Sequence, residues 1–462
     1  MQKQLIALFV LFTACESFKH GPGSYGITDG STGDLQPMPM SDGGPSSPTD
    51  MRPIIEDAIH DPEPPADFGS LPDLTPGRDL APTDLGPPPG MDMAPPTDLG
   101  PTVSISFANP TTYSIGAAPN ALSSGDFNGD GRPDIAVAVE DGVDLALFFN
   151  QGGGLFTRQY MTLPSSGRAI ASGDVNGDGK SDLVLGGIAG GGSYLINILL
   201  AVGDGTFTAS SLFTTAAPYG MAIGDLDGDS KADLVVANYA SSPVTFAVYH
   251  GRGDGSFEAP ANTVASGKQP QKVIIADVNG DGKKDVVMSI AQDSIGRTGY
   301  VGAFLNLGNG QFANQLFLTG NLTLTCAVAD VNNDGHIDLL ASAISNNTAS
   351  VVLGLGSNMF KPTAIAISDN QVIYPIAMLA QDFDRDGNID VALTSSSGTG
   401  MPSSIAVLQG SGSTSFADPV FFPTGANPID LVAADFNDDG KLDVATVDHS
   451  PNSISVLLNV SR

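Results

Sequence analysis

The chain has 462 residues, with 50 Asp plus Glu against 19 Lys plus Arg and a net charge of −31. Nucleic-acid binding depends on cations that neutralise phosphates, and a balance this acidic excludes DNA and RNA as partners. Of the acids, 45 are Asp and 5 are Glu, a preference that suits turns, caps and metal loops and argues against a helical protein.

The first residues look like an address. Lys3 precedes the apolar run Leu5 to Ala14 and then Cys15. Ten apolar residues are too few to span a bilayer but suit the core of a signal peptide. Leu11-Phe12-Thr13-Ala14-Cys15 resembles a bacterial lipobox, which implies a signal peptide over 1–15 and lipidation of Cys15; Phe12 departs from the usual aliphatic residue, and an ordinary cleaved signal is the alternative. Glu16 follows the cysteine in place of the Asp that tends to retain lipoproteins at the inner membrane, which favours the outer membrane. Contact with the membrane is then expected through the lipid anchor alone.

Residues 16–102 hold 18 of the 33 prolines, 15 acids and 3 basic residues. Such a segment cannot bury enough apolar surface to offset chain entropy, and it is expected to be a disordered Pro/Asp/Gly-rich tether.

From residue 103 onward one nonapeptide dominates. It begins at Asp126, Asp174, Asp225, Asp277, Asp330, Asp382 and Asp435, with spacings of 48, 51, 52, 53, 52 and 53 residues. A fixed period near this length signals a repeat architecture. Positions 1, 5 and 9 are always Asp, and position 3 is Asn or Asp. The ligand candidates are Asp126, Asn128, Asp130 and Asp134; Asp174, Asn176, Asp178 and Asp182; Asp225, Asp227, Asp229 and Asp233; Asp277, Asn279, Asp281 and Asp285; Asp330, Asn332, Asp334 and Asp338; Asp382, Asp384, Asp386 and Asp390; Asp435, Asn437, Asp439 and Asp443.

Hard oxygen ligands at alternating positions turn toward one point as the chain curls, as in the first half of an EF-hand loop. Gly at position 6 permits the reversal, and the last Asp can offer both oxygens. Ca²⁺ fits better than Mg²⁺, which demands stricter geometry, and better than transition metals, which want His or Cys. His336 is the one such residue inside the loops, at a backbone-ligand position. The plainer alternative is an Asx turn whose carboxylates only cap backbone N–H groups. Of the 35 acids after residue 102, 23 occupy these ligand positions; without a cation they would crowd like charges together. Up to seven Ca²⁺ are therefore expected. In the third copy Ser230 replaces the Gly and strains the turn, while Asp227 adds a carboxylate.

Each loop is followed by a short apolar run, such as Ile135 to Val139 or Leu234 to Val236, then a second run, a Gly-rich turn and a Phe, as in Gly203-Asp-Gly205-Thr-Phe207. These are buried strands. Four short strands per period make a propeller blade, and seven periods make seven blades. The last repeat stops at Arg462 before its Gly-turn-Phe strand, whereas Phe107 lies 19 residues before Asp126, within the 18 to 22 that separate that Phe from the next loop elsewhere. The N-terminal strand over residues near Phe107 should therefore complete the last blade and close the ring. The fold class expected is all-β, a seven-bladed β-propeller over 103–462 after the linker.

The loops, the Gly-turn-Phe segments and the period resemble FG-GAP and VCBS repeat proteins of the bacterial branch, relatives of the integrin α-subunit propellers. That resemblance implies Ca²⁺ at the Asp and Asn positions of the nonapeptides, and a monomeric binding module for a protein or a carbohydrate, serving recognition, adhesion or envelope assembly. The chain is expected not to be an enzyme, because it carries no metalloprotease, nucleophile-elbow or phosphate-loop motif. A polysaccharide hydrolase or lyase using Asp pairs at the axial face is the alternative. A lectin is disfavoured by the absence of Trp. Arg252-Gly253-Asp254 falls in a Gly-turn and is taken as coincidental, and Cys326 as a buried thiol.

Overall fold

A computed structural model describes residues 104–140, 144–239, 245–264, 269–291, 298–366, 374–396 and 402–462. The leader, Cys15 and the tether over 16–102 lie outside the described residues. Among those described, strands form seven four-stranded antiparallel sheets, and no helix is long and apolar enough to cross a membrane.

The first blade shows the plan, with strands Pro119–Gly125, Asp134–Val139, Leu145–Asn150 and Phe156–Met161 hydrogen-bonded in chain order. The nonapeptide joins the first strand to the second, and in every blade the second strand starts on loop position 9. Second and third strands are apolar runs that are buried throughout in this blade, while the fourth strand is mostly exposed. Burial on both faces is why these runs lack the alternation of a one-sided sheet.

The first strand of each blade lies against the first strands of the blades before and after it, from Pro119–Gly125 through to Ala426–Ala434 and back again. The sheets therefore form a closed ring. Closure is by splice: Thr111–Ser114 pairs with Ser453–Leu457 as the fourth strand of the last blade. Phe107 bridges Asn459, as Phe257 bridges Gly251 and Phe416 bridges Gly410, so Phe107 supplies the Gly-turn-Phe element that the C-terminal repeat lacks. This pairing leaves no long open edge in the last sheet.

Seven apolar clusters hold the ring, one between each pair of neighbouring blades. Loop position 2 is central to each of them. Phe127, Val175, Leu226, Val278, Val331, Phe383 and Phe436 are all at most 4 % exposed. Each packs near the Gly-turn Phe of the following blade. Phe436 meets Phe156 edge-on at 5.6 Å, and Phe383 meets Phe107 at 5.9 Å. The Gly-turn-Phe element is thus the knob that one blade presses against the loop of the preceding blade.

Candidate metal centres

All seven nonapeptides fold alike. The position-1 carboxylate accepts the position-6 N–H on Oδ2 at 2.6 to 3.0 Å in every copy. Position 3 accepts the N–H of position 5, and position 5 accepts that of position 7. This chain of Asx turns bends the backbone around its own carboxylates. Two residues per loop reach the left-handed region. Position 6 does so at φ +84° in Gly131, and Ser230 takes the same conformation at +66°. Position 4 does so as well, with Gly129 at +75° but also Asn333, Arg385 and Asp438 at +56°, +63° and +62°.

Position 9 has a double duty. Its Oδ2 accepts the N–H of position 2, as from Phe127 to Asp134 at 3.0 Å, and its Oδ1 accepts an N–H from the third strand, as from Asn150 at 2.8 Å. The same two bonds recur in the other six copies. The last Asp therefore staples loop to sheet. Each of its oxygens keeps one further lone pair, which leaves it able to face an ion as well.

The electrostatics divide the loops by depth. Burial raises Asp134, Asp338 and Asp443 to about 6 and Asp390 to about 7, and it also raises Asp182, Asp233 and Asp285. Nearby loop carboxylates push the same way. Exposed position 5 shifts downward in the second, third and fourth copies, through the Lys180 ammonium on Asp178, the Lys231 ammonium on Asp229, and the backbone N–H and ammonium of Lys283 on Asp281.

Carboxylate oxygens converge most closely in two copies. One oxygen each from Asp225, Asp227 and Asp229 lies within 4.8 Å of the others, as does one each from Asp382, Asp384 and Asp390. Asp382 Oδ1 is shielded from solvent and has no hydrogen-bond partner among the described residues. A buried anionic oxygen without a partner is costly, and a cation among these oxygens would satisfy it. Neighbouring loops also touch: Asn333 Nδ2 donates to Asn388 Oδ1 at 2.9 Å, and Arg132 Nε lies 3.3 Å from Asp438 Oδ2. The acidic loops therefore line one face of the ring.

Sequence patterns alone do not reveal the Asn clamp. Asn150 Nδ2 donates to Phe436 O at 3.0 Å in the preceding blade, Asn306 Nδ2 to Leu226 O at 2.7 Å, and Asn459 Nδ2 to Phe383 O at 2.7 Å. The signal that could have found it is an Asn closing the third strand of the first, fourth and seventh repeats. Asp254 of the Arg252-Gly253-Asp254 tripeptide accepts from Ser256 in the same turn that Asp204 makes with Thr206, which marks it as ordinary hairpin chemistry. Cys326 is a free, buried thiol, raised to about 12 by burial.

Fold and loops together define a seven-bladed β-propeller with acidic clusters that could hold metal ions. The FG-GAP-like repeat family matches residues 126–185, 174–236, 225–288, 330–393 and 382–446. These spans cover more than half of the 462 residues and include all seven nonapeptides; the chain belongs to the FG-GAP-like repeat family. No curated protein matches it.

Proposed function

We propose that the protein is a calcium-stabilised, non-enzymatic propeller that serves recognition, adhesion or assembly at the bacterial cell envelope. In this reading Cys15 carries the lipid of an outer-membrane lipoprotein, 16–102 is the tether, and the propeller is a monomeric module that binds a protein or a carbohydrate. The observation that carries it is the convergence of loop oxygens, above all the unpartnered, shielded Asp382 Oδ1 beside Asp384 and Asp390.

Positions 1, 3, 5 and 9 would hold the ion, which supplies positive charge and oxygen coordination among carboxylates that otherwise repel. The chain's own part is to pre-form the cradle, since its Asx turns already aim the oxygens, so that little ordering remains on binding. Position 9 links that cradle to the third strand, and position 2 links it to the next blade. Occupied loops would thereby stiffen the ring on which a partner docks.

Sites of extracellular type bind at about 0.1 to 1 mM, and a ligand at ten times its Kd adds about 1.4 kcal/mol per site. Seven sites would add about 10 kcal/mol, comparable with the whole stability of a domain. Thermal melting in calcium and in chelator tests this, with a midpoint well above the chelator value expected in calcium. Equal midpoints would remove calcium from the fold. Affinity capture from envelope extract in the two media tests recognition, with a partner retained in calcium expected. Labelling with a palmitate analogue, with a C15A variant as control, tests the anchor.

A further inference from the structure

The third loop departs from its relatives in two linked ways. Position 3 is Asn in five copies and Asp only as Asp227 and Asp384. The third-strand residue just before the amide that caps position 9 is Phe149, Leu200, Leu305, Leu353 or Leu458 beside the Asn copies. Beside Asp227 it is His250, and beside Asp384 it is Gln409. A polar side chain stands there only where the loop carries the extra carboxylate.

The two polar side chains behave differently. Gln409 Nε2 donates to Asp384 Oδ2 at 2.5 Å, so the sixth loop satisfies its carboxylate with an amide. His250 makes no such bond. Its Nδ1 is shielded from solvent and has no hydrogen-bond partner among the described residues. It stands 3.4 Å from Asp227 Oδ2 and 3.5 Å from Asp233 Oδ1. A charge-assisted N–H to O bond would close to about 2.7–2.9 Å. The three atoms face one another across a gap, all within 4.8 Å. A tetrahedral ion with bonds of about 2.0–2.1 Å sets its ligand atoms roughly 3.3 Å apart, close to both separations.

We propose that His250 Nδ1, Asp227 and Asp233 form a site for a divalent transition cation of the zinc class, unlike the oxygen-only loops. Imidazole nitrogen suits such ions, whereas calcium takes oxygen. Backbone N–H groups of Leu226 and Gly251 fix the Asp233 carboxylate at 2.9 Å each, which orients it toward the imidazole. Three protein ligands leave one coordination position for water or a partner's side chain. The site shares Asp227 with the Asp225 and Asp229 oxygens, so it competes with calcium in this loop only and does not require calcium in the other six.

The test is Co²⁺ titration of the full chain in millimolar calcium, followed by visible absorption, with Zn²⁺ displacement and metal analysis after dialysis. Wild type should take up one Co²⁺ equivalent with bands of a nitrogen-containing, low-coordinate site, which Zn²⁺ bleaches. His250→Gln should lose those bands and weaken uptake at least about tenfold, while His449→Ala, altered at an exposed position outside the loops, should match wild type. Asp227→Asn, which restores the position-3 residue of five other copies, should also weaken uptake and guards against misfolding of the His250 variant. Equal Co²⁺ binding by wild type and His250→Gln, or no uptake by wild type, overturns the proposal. Calcium-dependent melting is read separately, so a failure here leaves the calcium reading standing.

Discussion

Acidifying the protein in chelator should stabilise the ring, the reverse of ordinary acid denaturation. The unfolded value for Asp is 3.8, whereas burial holds Asp134, Asp338 and Asp443 at about 6 and Asp390 at about 7 in the fold. Between those limits the folded chain keeps protons that the unfolded chain has released. The stability from this source is complete below the unfolded value and is lost as pH rises through 6 to 7. A rise of about two units amounts to about 3 kcal/mol per group, so these four carboxylates give an effect on the order of 10 kcal/mol. The lowered carboxylates Asp178, Asp229 and Asp281 act with the opposite sign, but below the unfolded value and so outside this window. Calcium should flatten or reverse the slope, because the ionised carboxylate is the ligand and binding releases its proton. Asp448 provides the control: it is buried among the Thr446, Ser453 and Ser455 hydroxyls, belongs to no loop, and is also raised to about 6. Its share, about 3 kcal/mol, should persist in both media and vanish in Asp448→Asn. Urea midpoints at about pH 4 and about pH 7.5, with and without calcium, measure all of this. Identical slopes in the two media would refute the link between these carboxylates and an ion.

Phe436→Ala, which removes a fully buried ring from the interface between the last and first blades, should cost about 3–5 kcal/mol in urea unfolding. Ser230→Gly relieves a left-handed non-glycine at φ +66°; the gain, up to about 1 kcal/mol, should appear in the same assay, and a loss would mean that the hydroxyl matters. Deleting 104–118 removes the Thr111–Ser114 strand and bares Ser453–Leu457. Light scattering should then report self-association through the open edge, and a monomeric, fully stable deletion product would show the splice to be dispensable.

The period, the number of blades and the splice were legible because each repeat carries the same oxygen-bearing residues at the same places, and Phe107 sits at the offset its counterparts share. Less was legible wherever the partner lies on another strand. Position 9 looks alike whether Asp chelates or staples, and only the third-strand amide of Asn150 or its equivalents settles that it staples. The left-handed position 4 is hidden because Asn333, Arg385 and Asp438 stand where Gly stands in other copies. His250 carries no signal of its own in the sequence, since its neighbours Asp227 and Asp233 precede it by 23 and 17 residues and are brought to it only by the fold.

The Asn clamp decides whether a loop is a local feature or part of the ring. Asn150 holds Pro133 O at 3.1 Å in its own blade and Phe436 O at 3.0 Å in the preceding one, through a single amide nitrogen. Phe436 N–H is meanwhile held by Asp443, its own position-9 carboxylate. Position 2 of the last loop is thus gripped from both sides, by its own cradle and by the first blade. Asn150→Ala would take this donor from Pro133 O and leave Phe436 O with the Gly154 N–H alone, at about 1–3 kcal/mol in all. If the clamp couples blades, amide hydrogen exchange should speed up at Phe127 and at Phe436 together, although they belong to different sheets. Faster exchange confined to the first blade would mean that each loop answers only to its own sheet, and an ion bound there could not stiffen the wheel as a whole.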